Sequence, residues 1–174
     1  RRATNLVVYR IAIFYLVSIF LVVSLVAWNA PGRKAVGSFQ RVLEVLDRER
    51  GTVGSALGLR TRNAMEWLKL AYDTSGADLY EAIHNQEGYY GIKAPPTLNH
   101  RYIFEDVPCS LVPIASQGDR FGVSVRAMDA VVTLANIVHR TDYWRRGRTV
   151  DKLGFSTLSV SELTAYVNEG IREE

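Results

Sequence analysis

One stretch near the middle of the chain concentrates the side chains that could do chemistry. It reads Gly91-Ile-Lys-Ala-Pro-Pro-Thr-Leu-Asn-His-Arg-Tyr-Ile-Phe-Glu-Asp-Val-Pro108. The prolines predict a loop that runs into a helix start. An arginine at such a junction can bind a carboxylate through two parallel hydrogen bonds, so Arg101 is a candidate substrate-binding residue. Asp106 could cap the helix or orient a histidine that acts as a general base. A purely structural Arg–Asp pair with a helix cap remains the alternative.

Other catalytic or metal-binding patterns are missing from the sequence. The three histidines and the single cysteine have neither the CxxC nor the HxxxH spacing of metal ligands: His84, His100, His139 and Cys109. Gly51 and Gly54 lie within a predicted helix and follow no strand, so they do not form a dinucleotide-binding fingerprint. We therefore expect neither a bound metal nor a nucleotide cofactor on this chain alone.

Apolar residues at three- and four-residue steps predict a mostly α-helical domain for the part of the chain after Lys34. No run of four to eight residues alternates as a strand would. The first three predicted helices run from Phe39 to Leu57 with Gly58 as the C-cap, from Asn63 to Tyr72, and from about Ala77. Three more are predicted from Val107 to Ala115 with Asp106 as the cap, from Ser124 to His139, and after the capping box Ser159-Val-Ser-Glu162. Gly88 to Pro96 is predicted to be a loop.

The N-terminal segment has a different character. Residues 11–28 contain no charge, glycine or proline, and eighteen helical residues span roughly 27 Å, close to the thickness of a bilayer's hydrocarbon core. Tyr9 and Trp28 lie where interfacial aromatic residues are expected. We predict a transmembrane helix over residues 6–28 and membrane association. A signal peptide fits less well, and a buried core helix stays open.

Charge and composition divide the chain into two parts. Residues 1–34, the apolar segment and its linker, hold five basic and no acidic residues, whereas residues 35–174 hold 16 basic and 18 acidic ones. The second part therefore has no basic stripe of the kind that nucleic acid requires, and we expect no nucleic-acid partner. The lone Cys109 excludes an internal disulfide and fits a reducing compartment, so a cytoplasmic location is expected for the helical domain.

Three motifs carry a resemblance to a known family. They are the run His100-Arg-Tyr-x-x-Glu-Asp-Val-Pro108 followed by Leu111-Val-Pro113, the segment Gly76-Ala-Asp-Leu-Tyr-Glu-Ala-Ile83, and Gly147-Arg-Thr-Val-Asp-Lys-Leu-Gly154. Over about residues 36–170 the chain resembles the C-terminal domain of octopine/nopaline (opine) dehydrogenases. The resemblance implies an all-α domain related to the C-terminal domain of 6-phosphogluconate dehydrogenase. It also implies NAD or NADP as cofactor, an amino acid and a 2-oxo acid as substrates, and reductive condensation of the two.

The resemblance assigns roles to two residues and leaves gaps. Arg101 would bind a substrate carboxylate, and Asp106 would orient the catalytic histidine; Glu105 matches without an assigned role. The family's Asn-Pro-x-x-His motif is replaced here by apolar sequence and Asn29-Ala-Pro-Gly, and the nucleotide-binding domain is absent. We therefore expect an incomplete unit that is inactive alone, with a homodimer left open.

A second resemblance concerns the N-terminus. Arg2-Ala-Thr-Asn with Arg10, Ile13-Phe-Tyr15 and Trp28-Asn29 resembles one helix of an amino-acid permease, over residues 1–30. Two alternatives to a dehydrogenase domain follow. The chain could be a permease fragment fused to this domain, or a membrane-tethered remnant without catalysis.

Overall fold

The computed structural model describes residues 33–89 and 95–169, and their side chains from Gln40 onward. Within these ranges every regular element is helical and no strand occurs, so the all-α prediction is confirmed. The predicted membrane segment, residues 6–28, lies outside the described residues. Among the helices that are described, none combines the length and the apolar character needed to cross a bilayer.

The longest described helix, α1, runs from Arg33 to Ala56. It begins earlier than the predicted start at Phe39 and ends as predicted. Gly58 adopts a left-handed φ of 70° just beyond the end of the helix. The N–H of Leu59 then bonds to the carbonyl of Gly54 at 2.9 Å and that of Gly58 to Ser55 at 3.0 Å, the paired bonds of a Schellman motif.

Two shorter helices follow, each with a side-chain cap. Helix α2 is Ala64–Tyr72, and the predicted start at Asn63 is confirmed, since Asn63 and Glu66 form a reciprocal capping box. Helix α3 is Leu79–His84, and Asp78 accepts a hydrogen bond from the N–H of Glu81 at 2.9 Å. Both helices pack with Leu43 of α1 into one apolar cluster, here called the small cluster: Leu43, Ala64, Trp67, Leu68, Leu79, Ala82 and Ile83. A 3-10 turn, Glu87–Tyr89, follows α3.

The next helical run differs from the prediction. Helix α4 spans Arg101–Asp106 and continues through a π turn, Val107–Leu111, into helix α5, Val112–Arg120. The predicted start at Asp106 is wrong: Asp106 ends α4 and makes no capping bond, and His100 is the N-cap instead. Pro108 therefore lies inside a continuous helical run. Since proline lacks an N–H, the wider π turn accommodates it, with the N–H of Val112 bonding to the carbonyl of Val107.

Three helices complete the described fold. Helix α6 is Arg126–His139, α7 is Tyr143–Arg146, and α8 is Val160–Glu169. The capping box predicted at α8 is confirmed, because the N–H of Ser159 bonds to Glu162 at 2.6 Å and that of Glu162 to Ser159 Oγ at 3.3 Å. The predicted cap Ser124 is wrong, since the residue at the α6 N-cap is Val125 and makes no side-chain bond.

A long-range carboxylate replaces the predicted cap of α6. The two oxygens of Glu49 on α1 accept hydrogen bonds from the N–H groups of Ala127 and Met128 at 2.9 and 3.0 Å. Asp47, two residues earlier, similarly accepts a bond from the N–H of Ala64 at the start of α2, at 2.8 Å. The buried Arg50 bonds to the other oxygen of Asp47. Helix α1 thus supplies carboxylates to the N-termini of two other helices.

The main core lies between α1 and the helices from α4 to α7. Its buried members form what we call the large cluster: Leu46, Val53, Ile103, Val107, Leu111, Val112, Ala115, Val125, Met128, Val132 and Tyr143. Helix α4 contributes Ile103 to this core, and the π turn contributes Val107 and Leu111. The candidate site residues are therefore held by an element whose opposite face is buried.

Candidate functional site

Helix α4, which carries Arg101 and Asp106, begins directly after the proline-containing loop. The ring Nδ1 of His100 accepts a hydrogen bond from the N–H of Tyr102 at 3.3 Å, and the carbonyl of His100 accepts from Ile103 at 3.0 Å. His100 therefore has a structural capping role. The carbonyl of Leu98 lies just before the helix and accepts the N–H of His100 at 2.9 Å.

Arg101, the predicted carboxylate-binding residue, is largely open to solvent. Its side chain is 70% exposed, and its Nη2 lies 3.7 Å from Glu105 Oε2, on a side chain that is 58% exposed. The pair spans one helical turn and is longer than a hydrogen bond, and such exposed pairs contribute only about 0.2–1 kcal/mol. The guanidinium also lies 5.8 Å from the ring centre of Tyr102. A weak pair of this kind leaves the guanidinium fork available to an incoming carboxylate.

Asp106 occupies a different environment at the end of the same helix. It is half-buried, and its Oδ2 atom is shielded from solvent. Five residues at about 100° per residue separate the directions of Arg101 and Asp106 by roughly 140° around the helix axis. The structure therefore places both candidates on one short helix but on different faces. The ion pair of Arg101 involves Glu105, for which the sequence offered no role.

A histidine that the sequence analysis set aside contacts this helix. His139, the last residue of α6, lies with its ring centre 4.8 Å from that of Phe104 on α4, at an interplanar angle of 36°. Its Nε2 lies 2.9 Å from the carbonyl oxygen of Leu98, and its Nδ1 lies 2.6 Å from the hydroxyl of Tyr143. His139 and Tyr143 are four residues apart in the sequence but lie on different helices, α6 and α7, so their spacing does not place them on one helix face. The partner carbonyl is 41 residues away and could not be found by pattern.

The remaining nucleophilic and metal-ligating candidates are dispersed. His84 bonds to the carbonyl of Tyr80 at 2.8 Å, and Cys109 is an exposed free thiol in the π turn. Over the described ranges, 33–89 and 95–169, no three His, Cys, Asp or Glu residues come together in a way that could hold a metal ion.

Two groups near the start and end of α6 have shifted pKa values. Burial, together with the nearby charges of Asp119 and Glu49, raises the pKa of Asp129. Burial raises the pKa of Tyr143, with Arg146 opposing the shift. The Tyr143 phenol therefore stays protonated at neutral pH and can donate its proton to His139 Nδ1. Chemically, the arrangement offers an accessible cation on a helix that contacts the ring of His139.

Comparison with known proteins gives one consistent family for the helical part. The family model described as "NAD/NADP octopine/nopaline dehydrogenase, alpha-helical domain" matches residues 34–139. The chain is 38% identical over 133 residues to an opine dehydrogenase of Arthrobacter sp. (strain 1C). This match covers 76% of the chain and 36% of that protein. It is 30% identical over 136 residues to protein ocs of Agrobacterium tumefaciens (strain Ach5), covering 78% of this chain and 38% of that protein. The chain thus spans little more than a third of these relatives.

A second group of similar proteins accounts for a shorter stretch. The chain is 65% identical over 46 residues to the gamma-aminobutyric acid permease of Escherichia coli (strain K12). This match covers 26% of the chain and 10% of the permease. The predicted resemblance to an amino-acid permease is therefore supported by a short partial match.

Proposed function

Since the chain belongs to the octopine/nopaline dehydrogenase family and carries its α-helical domain, we propose that it is the substrate-binding part of an NAD(P)-dependent opine dehydrogenase. The reaction would be the reductive condensation of an amino acid with a 2-oxo acid. The observation that carries the proposal is the exposed guanidinium of Arg101, whose ion pair with Glu105 is long, at 3.7 Å. Residues 35–174 form the proposed domain, and 1–34 the segment that precedes it.

In this proposal Arg101 binds a substrate carboxylate. Both substrates carry such a group, and a planar guanidinium can donate two parallel hydrogen bonds to it. Displacing Glu105 costs little, because an exposed pair at 3.7 Å is screened by water. In the absence of substrate, the carboxylate of Glu105 pairs with the Arg101 guanidinium, and the substrate carboxylate competes with it.

Asp106 is proposed as a residue that orients a histidine supplied from outside the described helices. An aspartate bonded to one ring nitrogen fixes the tautomer and leaves the other nitrogen free to exchange a proton. Its partial burial favours such a role, since a shielded carboxylate makes a stronger hydrogen bond than one in water. The sequence lacks the family's histidine motif, so this chain alone is proposed to be inactive.

We propose that three helix N-termini in the described part of the chain are unsuited to a dinucleotide. A pyrophosphate binds at helix N-termini whose N–H groups are open and whose local field is positive. Here carboxylates already occupy such positions: Asp78 at α3, Glu49 at α6 and Asp142 at α7. An approaching pyrophosphate would meet negative charge at each one. We therefore place the NAD(P) site of the intact enzyme outside these helices.

The short match to permeases favours a second candidate. In it, the chain joins an amino-acid permease fragment to the helical domain, with residues 6–28 in a membrane and the domain on the cytoplasmic side. A variant of this candidate is a membrane-tethered remnant without catalytic activity. Fractionation of the full chain tests both versions: retention in membranes after carbonate extraction favours a membrane-bound chain, and release counts against it.

The substrate-binding proposal is tested by titrating the full chain with pyruvate and following the backbone amide NMR signals of α4, which the wild type and every variant contain. Arg101→Lys should weaken binding by about 1–3 kcal/mol, because lysine cannot form the bidentate pair. Arg126→Lys is the matched control, since Arg126 is also exposed and begins α6. Equal affinities for pyruvate in the wild type and both variants would contradict the role of Arg101. Oxidation of NADH with pyruvate and an amino acid by this chain would contradict the proposed inactivity.

A further inference from the structure

One carbonyl oxygen links α6 to the start of the Arg101 helix. The carbonyl of Leu98 accepts the backbone N–H of His100 at 2.9 Å and lies 2.9 Å from His139 Nε2. Because a carbonyl can only accept, Nε2 must carry the proton. In the neutral ring Nδ1 is then the acceptor, and the hydroxyl of Tyr143 donates to it across 2.6 Å.

The same histidine ring also contacts α4 beyond Arg101. Phe104 stacks on His139 with the ring centres 4.8 Å apart. Leu98 precedes Arg101 by three residues, and Phe104 follows it by three. The two contacts of His139 therefore bracket Arg101, one on the chain that enters the helix and one on the helix itself.

His139 is itself firmly held from the opposite side. Tyr143 is 1% exposed within the large cluster, and its N–H bonds to Asn136 Oδ1 on α6 at 2.9 Å. The carbonyl of His139 accepts the hydroxyl of Thr141 at 3.0 Å. Through Tyr143 and His139, the buried core is connected to α4 on the surface.

Such a brace matters because α4 is the first part of a helical run that continues through the π turn into α5. The first turn of a helix frays unless tertiary contacts hold it in place. The exposed arginine on it can form two simultaneous hydrogen bonds to a carboxylate only if its backbone has a fixed orientation. Ile103 packs the buried face of α4 into the large cluster. His139 contacts Leu98, just before the N-terminus of α4, and Phe104 on α4 itself.

We propose that His139 is a positioning residue: it fixes the Leu98–Phe104 segment and so orients the Arg101 guanidinium toward a substrate carboxylate. The part of this inference that concerns substrate rests on the proposed function above. The part that concerns the position of α4 stands on the contacts of His139 alone.

Three variants of the full chain separate these contacts. His139→Leu removes both hydrogen bonds and the aromatic contact while keeping an apolar side chain of moderate size. His139→Gln keeps an N–H donor at nearly the same distance along the side chain for the Leu98 carbonyl. Leu68→Ala is the stability control, because it weakens the small cluster, to which α4 and α6 contribute no residue. Each variant is measured for its melting temperature, for amide exchange at Ile103 and Phe104, and for the pyruvate dissociation constant.

We expect His139→Leu to accelerate exchange at both amides and to raise the dissociation constant for pyruvate by about threefold to tenfold, as when a rotamer-rich side chain must be ordered on binding. His139→Gln should show most of the wild-type exchange rate and affinity, and Leu68→Ala should leave affinity within about twofold of the wild type. If exchange at Ile103 and Phe104 rises in proportion to the loss of melting temperature equally in His139→Leu and Leu68→Ala, the positioning role is overturned. Faster exchange in His139→Leu with no pyruvate binding by the wild type supports the brace and refutes the proposed function instead.

Discussion

Replacing Glu49 should destabilise the domain by opening the first turn of α6. The side chain accepts two backbone hydrogen bonds from the first turn of α6, at 2.9 and 3.0 Å. Without it, the N–H groups of Ala127 and Met128 lose their acceptors next to a side chain, Met128, that is 0% exposed. The change therefore opens the end of a helix that packs on the large cluster.

The expected magnitude follows from these bonds. A side-chain cap contributes about 0.5–2 kcal/mol, and hydrogen bonds to charged groups about 1.5–3 kcal/mol when shielded. Glu49 is only half-buried, so water screens part of this energy. We expect Glu49→Ala to lower the free energy of unfolding by about 2 kcal/mol. Glu49→Gln should cost about 1 kcal/mol, because it keeps one acceptor and removes a charge that repels Asp129.

The measurement is urea unfolding of the full chain, followed by circular dichroism at a fixed detergent concentration and extrapolated linearly to water. Glu44→Ala is the matched control on the same helix, since Glu44 makes only a single-turn bond to Gln40 at 2.8 Å. Such a pair contributes about 0.2–0.5 kcal/mol. If Glu49→Ala proves no more destabilising than Glu44→Ala, the capping argument is refuted.

Two further predictions concern packing and pH. Gly147→Ala should destabilise the domain by about 1–3 kcal/mol, because the added Cβ would lie 2.6 Å from Val112 Cγ1 and 2.8 Å from the Tyr143 carbonyl oxygen. Gly51→Ala should instead stabilise the domain by about 0.5–1 kcal/mol, because its added Cβ would meet no atom closer than 3.6 Å. Thermal melts in which both variants shift the melting temperature in the same direction would contradict this prediction. Because the pKa of Asp129 is raised in the folded state, its ionisation opposes folding: the penalty is absent below the ordinary aspartate pKa of 3.8 and grows as pH rises through the folded-state pKa. Asp129→Asn should therefore raise the melting temperature at pH 7 and have no such effect at pH 3, and a stabilisation confined to pH 3 would show that the sign is wrong.

Local rules predicted the helices whose signals lie within one turn of the chain. The capping boxes at Asn63 and Ser159 and the C-cap at Gly58 depend only on neighbouring residues, and each is present in the structure. The family resemblance added the all-α architecture of the domain. The four-residue helix α7 was not predicted, because it is too short to show a hydrophobic period.

The errors arose where distant residues decide the local structure. Ser124 has the right residue type and position for a cap, but Glu49, which precedes Ala127 by 78 residues, takes that role. Asp106 followed by Pro108 looks like a helix start, yet the π turn lets an existing helix pass through the proline. For the candidate site, the sequence predicted Arg101 and Asp106 as candidates but not the contact of His139 with the chain before α4, because its bond to Leu98 joins residues 41 apart.

The position of α1 between the two apolar clusters has a consequence for the order in which the chain can fold during synthesis. The small cluster is complete once Ile83 has emerged from the ribosome, whereas the large cluster needs Val132 and Tyr143. At about 5–20 residues per second, several seconds separate these two events. During that interval Leu46 and Val53, on a helix already partly packed, have no partner from α6 to cover them. The nascent domain therefore passes through a stage with an exposed apolar stripe along α1, which is the kind of surface that general chaperones recognise.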